Sequence, residues 1–404
     1  MTRKSKMVFW LITVLCTGAA FSQAPIPGIR IGTGRQAKKS PVAYVYVNVE
    51  EGNTAKIYGF AADSKGGLSG IQGSPFPGFA DVGYWAGKNG YLFATDGTTD
   101  ATYIFSYLVS SIGVPRKVAQ IKVAGQNVGV CCLFLDRTAE DLYDYEVDYG
   151  GNNYYRSFRI DRSTGRLTYL GGLNVGYGSG PGGKMSFAGD NLYAYQPLNS
   201  CLYWSCNWGV LGARRNSKGK LTGSSAGSNP PTAKDGDYYL ADYAGADPTH
   251  HVAIAVQAVS QIYPFGNDGL PQLATYTVHS DGSLTTDSAY WNMPTTANQG
   301  YWGPYDVEIS PSGKLLAVAG TAGLEVFHFN GSKPITPYTG LLENDEIDQC
   351  LWDNDNHLYA ISSKSNRLFV FTVTPTGYYQ APGSPYVIGP VTGTQVIVLP
   401  MTSQ

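Results

Sequence analysis

Few residues in this chain are suited to chemistry, and their spacing decides how they can be used. Five histidines occur among 404 residues. His250-His251 follows Asp247-Pro248-Thr249, and His279 precedes Ser280-Asp281-Gly282, so both positions read as solvated hairpin turns. His328 lies between Phe327 and Phe329 in a strand-like run, and His357 precedes another. None stands in a His-x-x-x-His or His-Glu-x-x-His spacing, which puts two imidazoles on one helix face for a catalytic zinc. The densest acidic group is Glu343, Asp345, Glu346 and Asp348, with Asp353 and Asp355 close behind. Loop carboxylates suit Ca²⁺, which takes several oxygen ligands. A solvated loop followed by the turn Asp353-Asn354-Asp355-Asn356 is the preferred account of them over a calcium site, and no cofactor is expected. The run Gly178-Ser179-Gly180-Pro181-Gly182-Gly183-Lys184 is superficially like a phosphate loop. Met185 stands where Ser or Thr would bind Mg²⁺, and the segment enters a strand rather than a helix, so it reads as a connection.

Aromatic residues crowd the longer connections: Tyr84-Trp85, Tyr203-Trp204, Trp208, Tyr238-Tyr239, Tyr243, Tyr290-Trp291 and Tyr301-Trp302. Flat apolar rings with a polar handle suit sugar rings or protein anchors. Packing between sheets accounts for most of them; Trp85, Tyr239, Trp302 and Tyr305 are the ligand-binding candidates. A catalytic site would also need a cation beside a proton-transfer group. Arg156, Arg159 and Lys234 are the cations singled out for it, and no catalytic residue is assigned.

Cys201 and Cys206 are close enough to staple one loop or hairpin. Cys131 and Cys132 sit in the apolar run 128–135, where successive side chains face opposite ways, and read as small core residues. No Cys-x-x-Cys occurs, which removes the strongest zinc and thioredoxin signals.

The N-terminus reads as an export signal. Arg3, Lys4 and Lys6 precede the ten-residue apolar run 7–16, followed by small residues, with cleavage after Ser22 or Ala24. The run is too short to span a bilayer comfortably, and no later segment is apolar enough. The expected product is secreted or periplasmic. Removing residues 1–22 takes away Arg3, Lys4 and Lys6 and no acid, so 28 basic residues fall to 25 against 30 acidic ones. That balance argues against a nucleic-acid partner, which needs a concentrated basic face. Residues 23–40 read as a flexible lead-in.

The elements that must position these residues are strands. Gly numbers 50 and Tyr 30, while charged residues make up only 14%, a balance that favours pleated structure and tight turns over helices. A strand core recurs at Tyr44, Leu92, Leu142, Leu192, Val252, Leu316 and Leu358, at intervals of roughly 40–65 residues. Each core leads to a second strand of alternating aromatic or branched residues, as in Leu324-Glu325-Val326-Phe327-His328-Phe329. A turn closing on Gly-x-Leu follows in most copies, as in Asp281-Gly282-Ser283-Leu284. Strands inside such a period indicate propeller blades. The expectation is an all-β, seven-bladed β-propeller of four-stranded antiparallel blades over residues 41–401. A final strand at 395–399 is expected to pair with N-terminal residues and close the ring.

The phrases Ile309-Ser310-Pro311-Ser312-Gly313-Lys314-Leu315-Leu316-Ala317-Val318, Gly73-Ser74-Pro75-Phe76-Pro77 and Gly383-Ser384-Pro385-Tyr386 resemble the seven-bladed YVTN-repeat or lactonase-like propellers, the group containing bacterial 6-phosphogluconolactonase. The resemblance spans the whole predicted domain and implies the fold and, as one activity, lactone hydrolysis. That family's lactonases place Arg-His after a Gly-Pro and Asn-Glu after the following strand. Here Gly303-Pro304 is followed by Tyr305-Asp306, Gly320-Thr321 stands at the second position, and no Arg-His occurs anywhere. The reading adopted is an exported propeller that binds an unidentified small molecule, carbohydrate or protein. A lactonase-like hydrolase with a different constellation is the alternative, and a structural module of a surface assembly is the third.

Overall fold

The computed structural model describes residues 40–401 except for 52–53, 78–84, 98–101, 125–128, 148–150, 178–182, 198–199, 203–204, 224–227, 261–265, 268, 300–302 and 390–392. The predicted signal segment and Trp302 lie outside the described residues. Among those described there is no helix. Seven antiparallel sheets form seven blades in a ring.

Each blade runs from an inner strand at the axis to an outer one at the rim. The second blade is representative: Trp85–Lys88, Tyr91–Gly97, Thr102–Val109 and Pro115–Ala124, in that order. The first blade carries the closure. Its three N-terminal strands, Ala43–Glu51, Thr54–Ala62 and Leu68–Gly70, are completed at the axis by the C-terminal strand Gly393–Pro400. Tyr46 stands opposite Ile397 and Val47 opposite Val396 in that pairing. The closure thus covers the axial edge of Ala43–Glu51, which would otherwise template aggregation.

The recurrent apolar cores are the second strands of the blades, not the first as their order in the sequence suggests. A second strand is covered on both faces by neighbouring blades, so apolar side chains suit both faces. Leu315–Gly320 and His357–Ser362 are buried at every residue. The innermost strands range from the two-residue Ser186–Phe187 to the ten-residue Asp237–Ala246. Residues from each border the spaces along the channel.

Adjacent blades are latched by tyrosines. The Tyr46, Tyr143 and Tyr195 hydroxyls donate to the Gly113, Gly219 and Gly282 carbonyls of the next blade's outer turn, at 2.7, 2.8 and 2.8 Å. The glycine matters on two counts. Gly282 has φ +86°, which a side chain rarely adopts, and a Cβ there would lie 2.3 Å from the Tyr193 ring. The repeated Gly-x-Leu phrase is therefore the mark of a latch between blades as well as of a turn within one. The Gly-Ser-Pro phrases are fixed similarly: Ser74 Oγ accepts from Gly59 N–H and Ser384 Oγ from Val370 N–H, each at 2.9 Å.

Two histidines are structural. His357 is 1% exposed, and its Nδ1 meets Asp353 Oδ2 at 2.7 Å, while the Tyr359 hydroxyl donates to the same oxygen. His251 repeats the arrangement with Asp247 at 3.0 Å. The Asp-x-x-x-His spacing is a turn-to-strand brace that the sequence reading treats as solvated turn.

Candidate functional site

The inner strands enclose two chambers along the axis. One, of about 310 Å³, is lined by Trp85, Cys132, Lys184, Gln196, Asp242, Tyr243, Tyr305, Asp306, Asp348, Gln349 and Gln395. The other, of about 370 Å³, is lined by residues further along the same strands, including Lys88, Asp136, Arg137, Glu308, Trp352 and Val398. The inner strands therefore descend the channel in a common direction, and Trp85, Lys184 and Gln349 border both spaces.

The first chamber brings together the chemistry that sequence spacing keeps apart. Lys184 comes from the connection entering the fourth blade, Asp242 from Asp237–Ala246 in the fifth, and Asp306 from Pro304–Ile309 in the sixth, with Glu308, two residues on, bordering the other chamber. Lys184 Nζ makes an ion pair with Glu308 Oε1; the two side chains keep 41% and 19% of their surface, facing the channel. Burial works against the lysine's charge, but Glu308 and Asp306 outweigh it and hold the ammonium above its ordinary value. Asp306 Oδ2 accepts the Cys350 N–H at 3.0 Å, and Oδ1 accepts Val307 N–H at 3.1 Å. Burial, reinforced by the like charge of Glu308, pushes the Asp306 carboxyl up to about 7 against the pull of Lys184.

Asp242 is perturbed by a simpler cause. Its Oδ2 is buried with no hydrogen-bond partner, and burial pushes the carboxyl up to about 7. Tyr243, beside it, is pushed to about 12 by burial and by Asp306 and Asp242. The Tyr305 hydroxyl donates to Glu346 Oε1 at 3.2 Å. Gln349 and Gln395 brace the wall through their Oε1 atoms, accepting from Val396 N–H at 3.0 Å and Trp85 N–H at 3.1 Å.

A carboxyl that holds its proton more tightly when folded destabilises the fold at high pH. For Asp242 the ordinary value of 3.8 and the folded value of about 7 bound the window. Folding takes up protons between them, so stability falls as pH rises from about 4 to about 7. Asp242→Asn is expected to raise Tm at pH 8, by a stabilisation on the order of 2 kcal/mol, and to leave it nearly unchanged at pH 4. Thermal melts at the two pH values check this; no gain at pH 8 would contradict the buried, unpartnered carboxyl.

Of the sequence-derived candidates, Trp85 and Tyr305 line the chamber. Tyr239 does not: it is 2% exposed in the packing of the fifth blade, and its hydroxyl donates to Gln272 Oε1 at 2.6 Å. The cations singled out from the sequence are also elsewhere. Arg156 is buried in the third blade, paired with Asp144 through Nε at 2.9 Å and Nη2 at 2.7 Å. Arg159 binds Asp141 at 2.6 Å, and Lys234 is exposed. The channel cation is instead Lys184, from the run read as a mere connection. Its glycines carry no alternation, so only its exclusion as a phosphate loop was legible.

The acidic group at 343–355 disperses. Asp348 accepts from Ser363 N–H at 2.6 Å and from Ser363 Oγ at 3.0 Å, Glu346 meets Lys364 at 3.3 Å, and Asp353 serves His357. Among the described residues no three acidic, histidine or cysteine side chains are gathered where they could hold a metal ion. Cys132 is disulfide-bonded, which corrects its reading as a simple core residue; Cys350 is free and fully buried. Cys201 and Cys206 stand opposite one another in the hairpin Ser200–Leu202/Ser205–Asn207, with side chains outside the described set.

No family model matches this chain, and no curated protein matches it in sequence. Solved structures do. A protein from Lactobacillus plantarum aligns at 14% identity with a TM-score of 0.59, covering 88% of this chain and 98% of the other. A periplasmic gluconolactonase from Pseudomonas aeruginosa aligns at 12% identity and TM-score 0.56, over 88% and 98%. A putative 6-phosphogluconolactonase from Bacteroides fragilis aligns at 12% identity and TM-score 0.54, over 90% and 99%. The likeness is one of fold, with lactonase-like propellers among the neighbours.

Proposed function

We propose that this chain is an exported propeller that binds a small polyhydroxylated molecule, of the sugar or sugar-lactone class, in the first chamber. The observation that carries the reading is the wall itself. Two phenols, Tyr243 and Tyr305, three glutamines and Lys184 surround a ligand-sized space at the axis; Trp85 also borders it but is 7% exposed and stacked on Tyr107 in the blade packing. A flat apolar surface with a few convergent polar groups is what a sugar ring requires. The disulfide at Cys132 supports an oxidising compartment, and among the described residues no helix is long and apolar enough to cross a membrane.

Hydrolysis of a lactone is the second reading, and one observation favours it. Asp306 stands where the resembled lactonases carry the histidine of their Arg-His pair, and its carboxyl titrates near 7, in the range of a histidine. As a carboxylate it would take a proton from water as the oxygen attacks the lactone carbonyl. It would return that proton to the ring oxygen as the ester bond breaks, leaving the open hydroxy acid. Lys184 would stabilise the developing oxyanion.

Calorimetric titration of the folded protein with glucose and with glucono-δ-lactone, followed by a pH-stat assay, tests both readings. Saturable binding that Lys184→Met or Asp306→Asn weakens supports the first. Ring opening that rises through about pH 7 and falls roughly 10²- to 10⁴-fold in Asp306→Asn supports the second. An absence of binding to either compound overturns both.

A further inference from the structure

We infer that the first chamber selects its guest by charge, favouring an ammonium-bearing polyol over a neutral one and excluding phosphorylated sugars. The inference rests on the reading of the chamber as a sugar-class site and adds the sign of the ligand's charge. Three carboxylates, Asp242, Asp306 and Asp348, line the space against one cation, Lys184. That cation is already committed to Glu308. Asp348 is partly satisfied by Ser363, and Asp306 by two backbone N–H groups. Asp242 is not satisfied at all at Oδ2, which is buried and without a partner.

Such an oxygen lies beneath the chamber surface with no donor of its own, so its charge is offset only through space by what enters the chamber. A hydroxyl brings no charge; an ammonium brings one that offsets the carboxylates around it. A phosphate brings acceptors only, into a space where the single lysine is taken and burial strengthens every repulsion. The basic residues Lys88 and Arg137 border the other chamber, not this one. Lys88 Nζ donates to the Arg137 carbonyl at 2.5 Å, and Arg137 Nη1 to the Phe187 and Asp247 carbonyls at 3.1 and 3.2 Å. The channel thus carries three carboxylates against one paired lysine at the end where the inner strands begin, and mixed charge further along, where Lys88 and Arg137 stand with Asp136 and Glu308.

Titration calorimetry with glucosamine, glucose and glucose 6-phosphate at pH 7.5 tests the inference. Glucosamine is expected to bind roughly tenfold more tightly than glucose, and glucose 6-phosphate more weakly than either. Asp242→Asn is expected to remove most of the glucosamine preference while glucose binding persists. Asp306→Asn serves as the second variant should Asp242→Asn fold poorly, and is expected to reduce the preference in the same direction. Glucose 6-phosphate binding as tightly as glucosamine overturns the charge selection and leaves the sugar-binding reading standing. A glucosamine preference unchanged in both variants also overturns it. Absence of binding by all three compounds overturns the sugar-binding reading together with the inference built on it.

Discussion

Deleting residues 393–404 is expected to abolish cooperative folding. The deletion removes the strand Gly393–Pro400, which supplies the axial edge of the first blade. Val396, Ile397, Val398 and Leu399 each keep 6% or less of their surface. At about 1.5–3 kcal/mol for each fully buried side chain, the four contribute roughly 6–12 kcal/mol. A whole domain of this kind has only about 5–15 kcal/mol of net stability. The loss also exposes one edge of Ala43–Glu51, whose residues pair along the closing strand from Ala43–Pro400 to Val49–Gly393. Far-ultraviolet dichroism and urea titration check the result. The expected outcome is a low-solubility chain without a sigmoidal transition. A truncated chain that still unfolds cooperatively at an unchanged midpoint would show that the strand is an ornament to a ring already closed.

The second large effect is expected at the contact between the third and fourth blades. Asp141 has a fully buried carboxylate, bound by Arg159 Nε at 2.6 Å and by Arg215 through Nε at 2.9 Å and Nη2 at 2.5 Å. Glu140 adds a longer contact to Arg215 at 3.1 Å. Burial works against the Arg215 charge, and Asp141 more than offsets it, so the guanidinium is held well above its ordinary value. Burial likewise pushes the Asp141 carboxyl up, while its two arginines pull it back. Arg215→Ala takes two of the three hydrogen bonds that hold the buried Asp141 carboxylate, leaving it with Arg159 alone, and is expected to cost about 3 kcal/mol at pH 7. Asp141→Asn keeps the shape and removes the charge, leaving Arg215 with Glu140 and the more distant Asp136. Paired with Arg215→Ala it is expected to cost less than the two single changes added together, because both remove the same contact. Urea midpoints of the four chains complete the cycle. A loss below about 1 kcal/mol for Arg215→Ala would mean that the joint is held by packing alone.

Much of this architecture is readable before any coordinates. The period-two alternation in Leu324-Glu325-Val326-Phe327-His328-Phe329 identifies a strand packed on both sides, and Gly323–Asn330 is that strand. The closing strand is also legible, because 395–399 is a strand-like run beyond the seventh blade's turn. What was misread is rank within the blade: the loudest apolar runs are second from the axis, since only there do neighbouring sheets cover both faces. The latches were hidden for a related reason. Tyr143 and Gly219 lie 76 residues apart, and nothing local in either marks the other.

Local patterning thus specifies the class of fold, the number of blades and the place where the ring closes. Strand alternation and glycine turns are local properties, written into every repeat and independent of where the repeat ends up. The site exists only in the assembled ring. That ring places Lys184 beside Glu308, and Asp306 and Asp242 on the same wall, although they come from the fourth, fifth and sixth blades. A ring brings one strand from each blade to the axis, and residues facing a channel obey no hydrophobic period that could announce them. Burial pushes the Asp306 and Asp242 carboxyls up to about 7, joined at Asp306 by the like charge of Glu308, and that burial exists only once the ring has closed.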